Sequence, residues 1–361
     1  MKTVYFNLSV GSAVEYAGNI FKSWIEDFDM ELIEIKDQSQ QMFFSIMLAD
    51  ASPDLIIIND AFQSCCQATL TYRADHPNVK IILIGHCWAD LQEATGKPNW
   101  LTGIIDASLA IFSLSGMDRG TKVSWSSKLE ERYYPTPPEF KSTKKWRERP
   151  GVFCYIGNIL PHKFGREFLD KIKGTDLYIE CYGHRWDKGS NLLSPWGFPD
   201  VVMEDYYAEF DAASKNLKYM EVIPQNQVAE VLNRYRYFVL PHDGYEAFNW
   251  TLKQAIYCGT IPLVINNRIQ TQFDFTWLDW AHGYYYGCNN PTDMINNLQL
   301  IVKDNIDRTD LSELISTEFP KVTTYNGFRL RFRKVVADAL LGKFEPYEEG
   351  YKMPTIQGVA K

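Results

Sequence analysis

Continuous apolar runs of strand length, each followed by a stretch long enough for a helix, occur in two successive series along this chain, and that repeated alternation constrains its fold most. In the first half the runs are Thr3 to Leu8, Glu31 to Ile35, Asp54 to Ile58, Val79 to Ile84 and Leu109 to Leu114. Leu55-Ile56-Ile57-Ile58 shows no polar alternation, so a strand made from it must be covered on both faces. Such strands belong to parallel sheets whose crossover connections are helices. A doubly wound α/β domain is therefore expected over residues 1–132.

The pattern breaks at Tyr133-Tyr134-Pro135-Thr136-Pro137-Pro138, where proline fixes φ and removes donors. Residues 133–150 are expected to form a linker. The alternation then restarts with Val152 to Ile156, Leu177 to Cys181, Lys218 to Ile223, Tyr237 to Leu240 and Ile261 to Ile265. A second Rossmann-like domain over 151–325 follows from it. A helix over 326–344, with Phe328, Leu330, Phe332, Val335, Val336 and Leu340 as its apolar set, is expected to cross back to the first domain, and 345–361 reads as a tail. A chain of 361 residues agrees with this division, because single hydrophobic cores stop growing at roughly 250 to 300 residues.

Composition removes several classes of function. With 45% hydrophobic and 23% charged residues the chain is of ordinary globular type, and 14% aromatic residues suit clefts lined with rings. No run reaches the roughly 18 to 20 apolar residues of a spanning helix, and the amino terminus leads into a strand pattern, so a cytoplasmic protein without membrane association is expected. Seven cysteines lack metal-ligand spacing and read as reduced thiols. A net charge of −8 opposes indiscriminate nucleic-acid binding, so any contact with phosphates must come from a patch. The stretch from Thr121 to Pro150, with eight basic and four acidic residues, is a candidate patch, and equally a solvated linker face.

Ligands of doubly wound sheets bind at the carboxyl ends of the strands, and two such domains facing one another leave a cleft there. Between the run ending Val239-Leu240-Pro241-His242 and the run beginning Ile261 lies the segment Glu246 to Thr260. A helix starting near Phe248 would direct the amides of its first turn, at Phe248, Asn249, Trp250 and Thr251, toward a diphosphate, with Lys253 adding a cation. At the opening of the same domain, Tyr155-Ile156-Gly157-Asn158 leads to Lys163 and Arg166 at a helix start. Gly157 allows close backbone approach, and the two cations would neutralise a leaving diphosphate with no metal required. The same cations also suit a solvated helix face. In the first domain Gly85-His86-Cys87-Trp88 puts an imidazole at a strand's carboxyl end, either in a cleft or as a satisfied structural histidine, with Asp90 the nearest carboxylate. The small-residue loop Ser9-Val10-Gly11-Ser12 after the first strand suits close approach by a sugar or phosphate.

Glu246 to Pro262 resembles the E-x7-E region of retaining GT-B glycosyltransferases, in which an acidic loop, a helix and a Cys-Gly-Thr-type turn follow a strand. Glu246 matches the first acid. Gln254 stands where the family has the acid that binds both ribose hydroxyls, and an amide accepts one such hydrogen bond. The Gly157 to Arg166 segment resembles the family's phosphate clamp, with Asn158 where many relatives carry arginine, and His86 resembles the histidine that contacts donor sugar or acceptor. The order of features over residues 80 to 265 is similar to that of the DNA glucosyltransferases of T-even phages.

The resemblance implies a GT-B fold and transfer from a nucleotide diphosphate sugar, expected to be a UDP-sugar, to 5-hydroxymethylcytosine in phage DNA within a host cytoplasm. Transfer would be retaining and would need no divalent metal. His86, Glu246 and Lys163 are then the catalytic candidates. Gly157, Asn158, Arg166, Phe248, Asn249, Trp250, Thr251, Lys253 and Gln254 would bind donor, and Ser9, Gly11, Ser12 and Asp90 acceptor. Two alternatives stay open: a cell-surface glycan or lipid-linked sugar as acceptor, and an inactive nucleotide-sugar-binding scaffold.

Overall fold

The computed structural model describes residues 1–8, 13–85, 100–113, 129–131, 136–161, 163–185, 203–241, 250–265, 286–322 and 325–343. The chain forms two compact units, Met1–Thr136 with Phe273–Thr276 and Val322–Lys361, and Pro137–Gln272 with Trp277–Lys321.

In the first unit the order is β1 (Lys2–Asn7), α1 (Ala13–Ser23), β2 (Glu31–Ile35), a 3-10 turn (Gln38–Phe43), α2 (Phe44–Ala51), β3 (Leu55–Asn59), α3 (Gln63–Asp75), β4 (Lys80–Gly85), α4 (Trp100–Ala107), β5 (Ala110–Ser113) and β6 (Leu129–Glu131). The strands pair in parallel in the order β2-β1-β3-β4-β5-β6. Every residue of β3 is buried, as its unbroken apolar run requires. On one face Val4, Phe6, Ile56, Ile58, Ile81 and Leu83 share a core with α2, α3 and α4.

The second unit contains a 3-10 turn (Trp146–Glu148), β7 (Gly151–Ile156), α5 (Arg166–Ile172), β8 (Ile179–Tyr182), α6 (Met203–Asp211), β9 (Leu217–Tyr219), α7 (Val228–Leu232), β10 (Tyr235–Leu240), α8 (Trp250–Tyr257), β11 (Ile261–Ile265), β12 (Tyr286–Cys288), α9 (Pro291–Asp304) and α10 (Thr309–Val322). All its pairings are parallel, in the order β12-β11-β10-β7-β8-β9. Counted from β7 this is the 3-2-1-4-5-6 order of dinucleotide-binding sheets. The expected strand Lys218 to Ile223 is shorter, because Glu221 takes a positive φ of 66°.

The last helix, α11 (Tyr325–Leu341), returns to the first unit. Phe332 packs its ring 5.2 Å from Phe21 and 5.1 Å from Phe112, and Trp24 Nε1 donates to Tyr325 Oη at 3.0 Å. Residues 137–150, expected as a linker, pack instead as a strap on the second unit. Thr143 N donates to Asn233 Oδ1 (2.8 Å), and Phe140, Trp146 and Arg149 are buried. Among the described residues the cysteines are free and buried, and no helix is long and apolar enough to cross a membrane.

Candidate functional site

In an open parallel sheet the strand order reverses at one point, and the loops leaving the carboxyl ends of the two strands there diverge and leave room for a ligand. In the second unit that point lies between β7 and β10, which are paired neighbours. Their carboxyl ends lead to the two segments that the sequence singles out, Gly157 to Arg166 and the approach to α8.

Tyrosine hydroxyls hold the first segment. Tyr155 Oη donates to Asn158 O at 2.8 Å, Tyr207 Oη to Ile159 O at 3.3 Å, and Tyr206 Oη to Leu160 O at 2.9 Å. Tyr219 Oη donates to Gly183 O, at the adjoining end of β8, at 3.1 Å. Burial pushes the Tyr206 hydroxyl well above its ordinary pKa and raises that of Tyr219, so both remain neutral donors. The amides of Gly157 and Ile159 donate to Tyr182 O and His184 O, at 2.9 and 3.0 Å. Between them, Asn158 is exposed and its amide makes no backbone hydrogen bond among the described residues. With the loop's carbonyls taken up by tyrosine hydroxyls, a loop amide that makes no backbone hydrogen bond among the described residues suits an anion.

The loop also depends on close backbone contact. A Cβ on Gly183 would lie 1.7 Å from Gly157 O, so only glycine lets the ends of β7 and β8 approach this closely. Lys163 follows on the turn before α5, half-buried, its amide donating to Leu160 O. Arg166, the first residue of α5, is exposed and pairs its Nε with Glu209 Oε2 at 3.0 Å, so Glu209 already balances its charge.

Helix α8 is buried along nearly its whole length. Only Thr251 is half-exposed, and Lys253 and Gln254 retain 2% and 1% of their surface. It stops at Cys258-Gly259-Thr260, where Gly259 takes φ +69°, Gly259 N donates to Ile256 O and Thr260 N to Ala255 O. This pair of bonds is the Schellman arrangement, which needs a left-handed residue. Arg149 grips the stop, donating to Cys258 O (2.6 Å) and Thr260 Oγ1 (3.0 Å), and Ser312 Oγ donates to Gly259 O. The stop lies at the amino end of β11, away from the strand ends that lead to the site.

The first unit reverses its strand order between β1 and β3, where Asn7 and Asn59 are register partners at the strands' carboxyl ends. Asn59 Nδ2 donates to Asn7 Oδ1 (2.8 Å) and to Val14 O (3.2 Å). Asn7 Nδ2 in turn donates to Asn19 Oδ1 and Glu34 Oε1. Burial works against the charge of Glu34, but hydrogen bonds from Lys22 and Asn7 and the charges of Lys22 and Lys36 outweigh it and lower its pKa.

No protein-family profile and no curated protein matches this sequence. Solved structures do match. The sucrose-phosphate synthase of Thermosynechococcus elongatus superposes with a TM-score of 0.72 at 8% identity, covering 95% of this chain and 100% of that one. Anabaena HepE in complex with UDP-glucose gives 0.66 at 9% identity, covering 94% and 100%. An alpha-glucosyltransferase in complex with UDP and a 13-mer DNA gives 0.58 at 12% identity, covering 91% and 99%. The chain has the GT-B fold.

Within the second unit of this GT-B chain, Gly157, Asn158 and Lys163 share one pinned segment, while Trp250, Thr251, Lys253 and Gln254 share α8. Ser9, Gly11, Ser12, His86, Asp90, Glu246, Phe248 and Asn249 lie outside the described residues. The sequence pattern did not single out the tyrosines at 206, 207 and 219, Arg149, or the Asn7–Asn59 pair. For the asparagines a signal existed: each is a polar residue closing an apolar strand, ahead of a loop.

Proposed function

We propose that this chain is a glycosyltransferase that moves a sugar from a UDP-sugar to a hydroxyl group, with 5-hydroxymethylcytosine in duplex DNA as the acceptor. The observation that carries the reading is the segment after β7, at the strand-order reversal of a Rossmann-type sheet, with Lys163 on it and an exposed Asn158 whose amide makes no backbone hydrogen bond among the described residues. The GT-B fold supports it, and so does the binding of UDP or UDP-glucose by proteins of that fold. The DNA bound to one of them motivates the acceptor.

In this reading Gly157 and Asn158 hold the diphosphate through their backbone, Lys163 offsets its charge, and Arg166 joins when Glu209 releases it. Glu246 and the amides of Phe248 and Asn249 complete the donor seat with Trp250, Thr251 and Lys253. His86 orients a reactant, and Ser9, Gly11, Ser12 and Asp90 face the acceptor. The bond from the sugar's anomeric carbon to the diphosphate oxygen breaks as the acceptor oxygen forms its bond on the same face. The acceptor proton passes to the departing diphosphate, so the products are UDP and the retained glycoside, with no metal needed for charge balance.

A carbohydrate acceptor is the second reading. The net charge of −8 favours it, being ill suited to a DNA polyanion. Mass analysis after incubation with UDP-sugars and either hydroxymethylated duplex or an oligosaccharide panel separates the two. Product on the duplex is expected; product on oligosaccharide alone would overturn the DNA acceptor. Lys163→Ala and Glu246→Ala should each remove more than 90% of turnover, about a tenfold loss being the size of one charged contact to a leaving group. Wild-type turnover in either, with folding retained, would refute the donor seat.

A further inference from the structure

Four non-glycine residues take a positive φ among the described residues: Ser52, Asp60, Glu221 and Asn305. Ser52 and Asn305 end α2 and α9, where a left-handed residue closes the last turn, their amides donating to Leu48 O and Ile301 O. Glu221 follows β9, and its carbonyl accepts from Gly183 N. Asp60 ends no helix. With φ at 76° it follows Asn59, the last residue of β3, at the strand-order reversal of the first unit. Aspartate tolerates that conformation at a cost, whereas glycine adopts it freely. The turn alone therefore does not account for Asp60, and a use for its carboxylate does.

The surroundings hold Asp60 in place. Its amide donates to Ile84 O, near the end of β4, at 3.0 Å, and its carbonyl accepts from Phe62 N at 3.1 Å. Its Oδ1 accepts from Ala61 N at 3.0 Å. Just before it, Asn59 is fixed by Asn7 Oδ1 and Val14 O, and α1 packs so closely that a Cβ on Gly18 would lie 2.3 Å from both asparagine side chains. Asp60 itself is half-buried. A carboxylate thus stands on a fixed backbone at the carboxyl ends of β3 and β4, where doubly wound sheets take their ligands, and Ile84 is two residues ahead of His86 in the chain.

A carboxylate accepts hydrogen bonds, donates none and repels phosphate, so the group it takes from a ligand is an N–H or O–H. In the transfer described above the proton of the reacting hydroxyl passes to the departing diphosphate, which leaves a neighbouring donor of the acceptor for Asp60. On 5-hydroxymethylcytosine that donor is the exocyclic amine beside the hydroxymethyl group, and carboxylates read this amine in cytosine. We propose that Asp60 accepts a hydrogen bond from the exocyclic amine and so determines specificity for the acceptor base. The proposal deepens the transferase reading and rests on its DNA acceptor. A contact to the base, unlike one to phosphates, is also compatible with a net charge of −8. 5-Hydroxymethyluracil carries an oxygen in place of the amine, which faces a carboxylate unfavourably.

Asp60→Asn keeps a side-chain oxygen for the Ala61 amide and tolerates a positive φ, so it changes only what the group offers a ligand. Asp60→Gly releases the strain and removes the group. Transfer from a panel of UDP-sugars to duplexes carrying either 5-hydroxymethylcytosine or 5-hydroxymethyluracil is followed by mass analysis and read as kcat/KM for each full-length protein, with thermal unfolding and calorimetric titration of UDP alongside. Wild type is expected to prefer the cytosine duplex. Both variants should stay folded and bind UDP as wild type does, yet lose roughly tenfold or more on that duplex. In Asp60→Asn, whose amide can donate to the uracil oxygen, the preference should narrow by a similar factor or reverse. An unchanged preference in Asp60→Asn, with or without a fall in rate, would overturn the proposal while leaving the transferase reading intact. Transfer by wild type to an oligosaccharide panel and to neither duplex would overturn the DNA acceptor and this proposal together.

Discussion

Arg149 carries its charge into the interior of the second unit, fully buried, and among the described residues none of its hydrogen-bond partners is a carboxylate. It donates to Tyr235 O, Cys258 O, Lys144 O, Thr260 Oγ1 and Ser142 Oγ, so strap, strand start and helix stop all converge on one guanidinium. Desolvation lowers its pKa to about 10, which still leaves it protonated at neutral pH. Removing it strands several buried carbonyls at once. Arg149→Met should cost about 3 kcal/mol in urea unfolding, and Arg149→Lys should recover little, because three donors on a flexible stem cannot span the same acceptors. A cost under about 0.5 kcal/mol would mean that the strap is held by its apolar residues instead.

The Glu34 cluster gives the first unit its own pH dependence. The folded pKa of Glu34 lies below its ordinary value, so its contribution is complete above the unfolded carboxylate range and is lost as pH falls through the folded value. Lys22 is raised by its hydrogen bond to Glu34, so its share is complete below the unfolded lysine range and lost as pH rises through the folded value. Melting temperatures of wild type and Glu34→Gln between pH 7 and 3 should therefore converge in acid. A constant gap across that range would show that the carboxylate's charge does not matter there.

At the scale of elements, the juxtaposition of β7 and β8 depends on Gly183. Alanine there would place its Cβ 1.7 Å from a backbone oxygen, which no rotamer change relieves. Gly183→Ala should destabilise the second unit by roughly 1 to 3 kcal/mol and weaken UDP binding more than tenfold, by moving the loop that carries Asn158. Unchanged affinity would detach that loop from the donor seat. Such strand ends were legible in the sequence because continuous apolar runs mark doubly covered strands, and β1–β5 and β7–β11 follow from them. β6 and β12, three residues each, are too short to carry a pattern. The strap 137–150 reads as a linker since its prolines and charges dominate, while Phe140, Trp146 and Arg149 find their pockets only in the folded unit. Gly157 was legible as a glycine after a strand. The tyrosines that pin its loop and the adjoining end of β8 were not, because Tyr206, Tyr207 and Tyr219 lie 36 to 48 residues from the carbonyls they hold.

At the scale of the molecule, the chain completes its first core last. The residues that bury Phe21 and Phe112 come from α11, after the whole second unit, so the first unit cannot close until residue 341 is made. Phe332 is fully buried against Phe21, Trp24 and Phe112, and Arg333 bonds Asp27 and the carbonyl of Trp24. Truncating Phe332 to alanine should therefore remove about 3 to 5 kcal/mol, the range for a buried phenylalanine, and remove it from one unit only. Native-state hydrogen exchange can read this, because each sheet reports its own unit's opening. Protection should fall in β1, β3 and β5 of Phe332→Ala while β7, β8 and β10 keep theirs, since Phe332 lies in the first unit's core and those strands form the second. An equal loss in both sheets would mean that the units open as one cooperative body, and α11 would then act as a clasp for the entire chain.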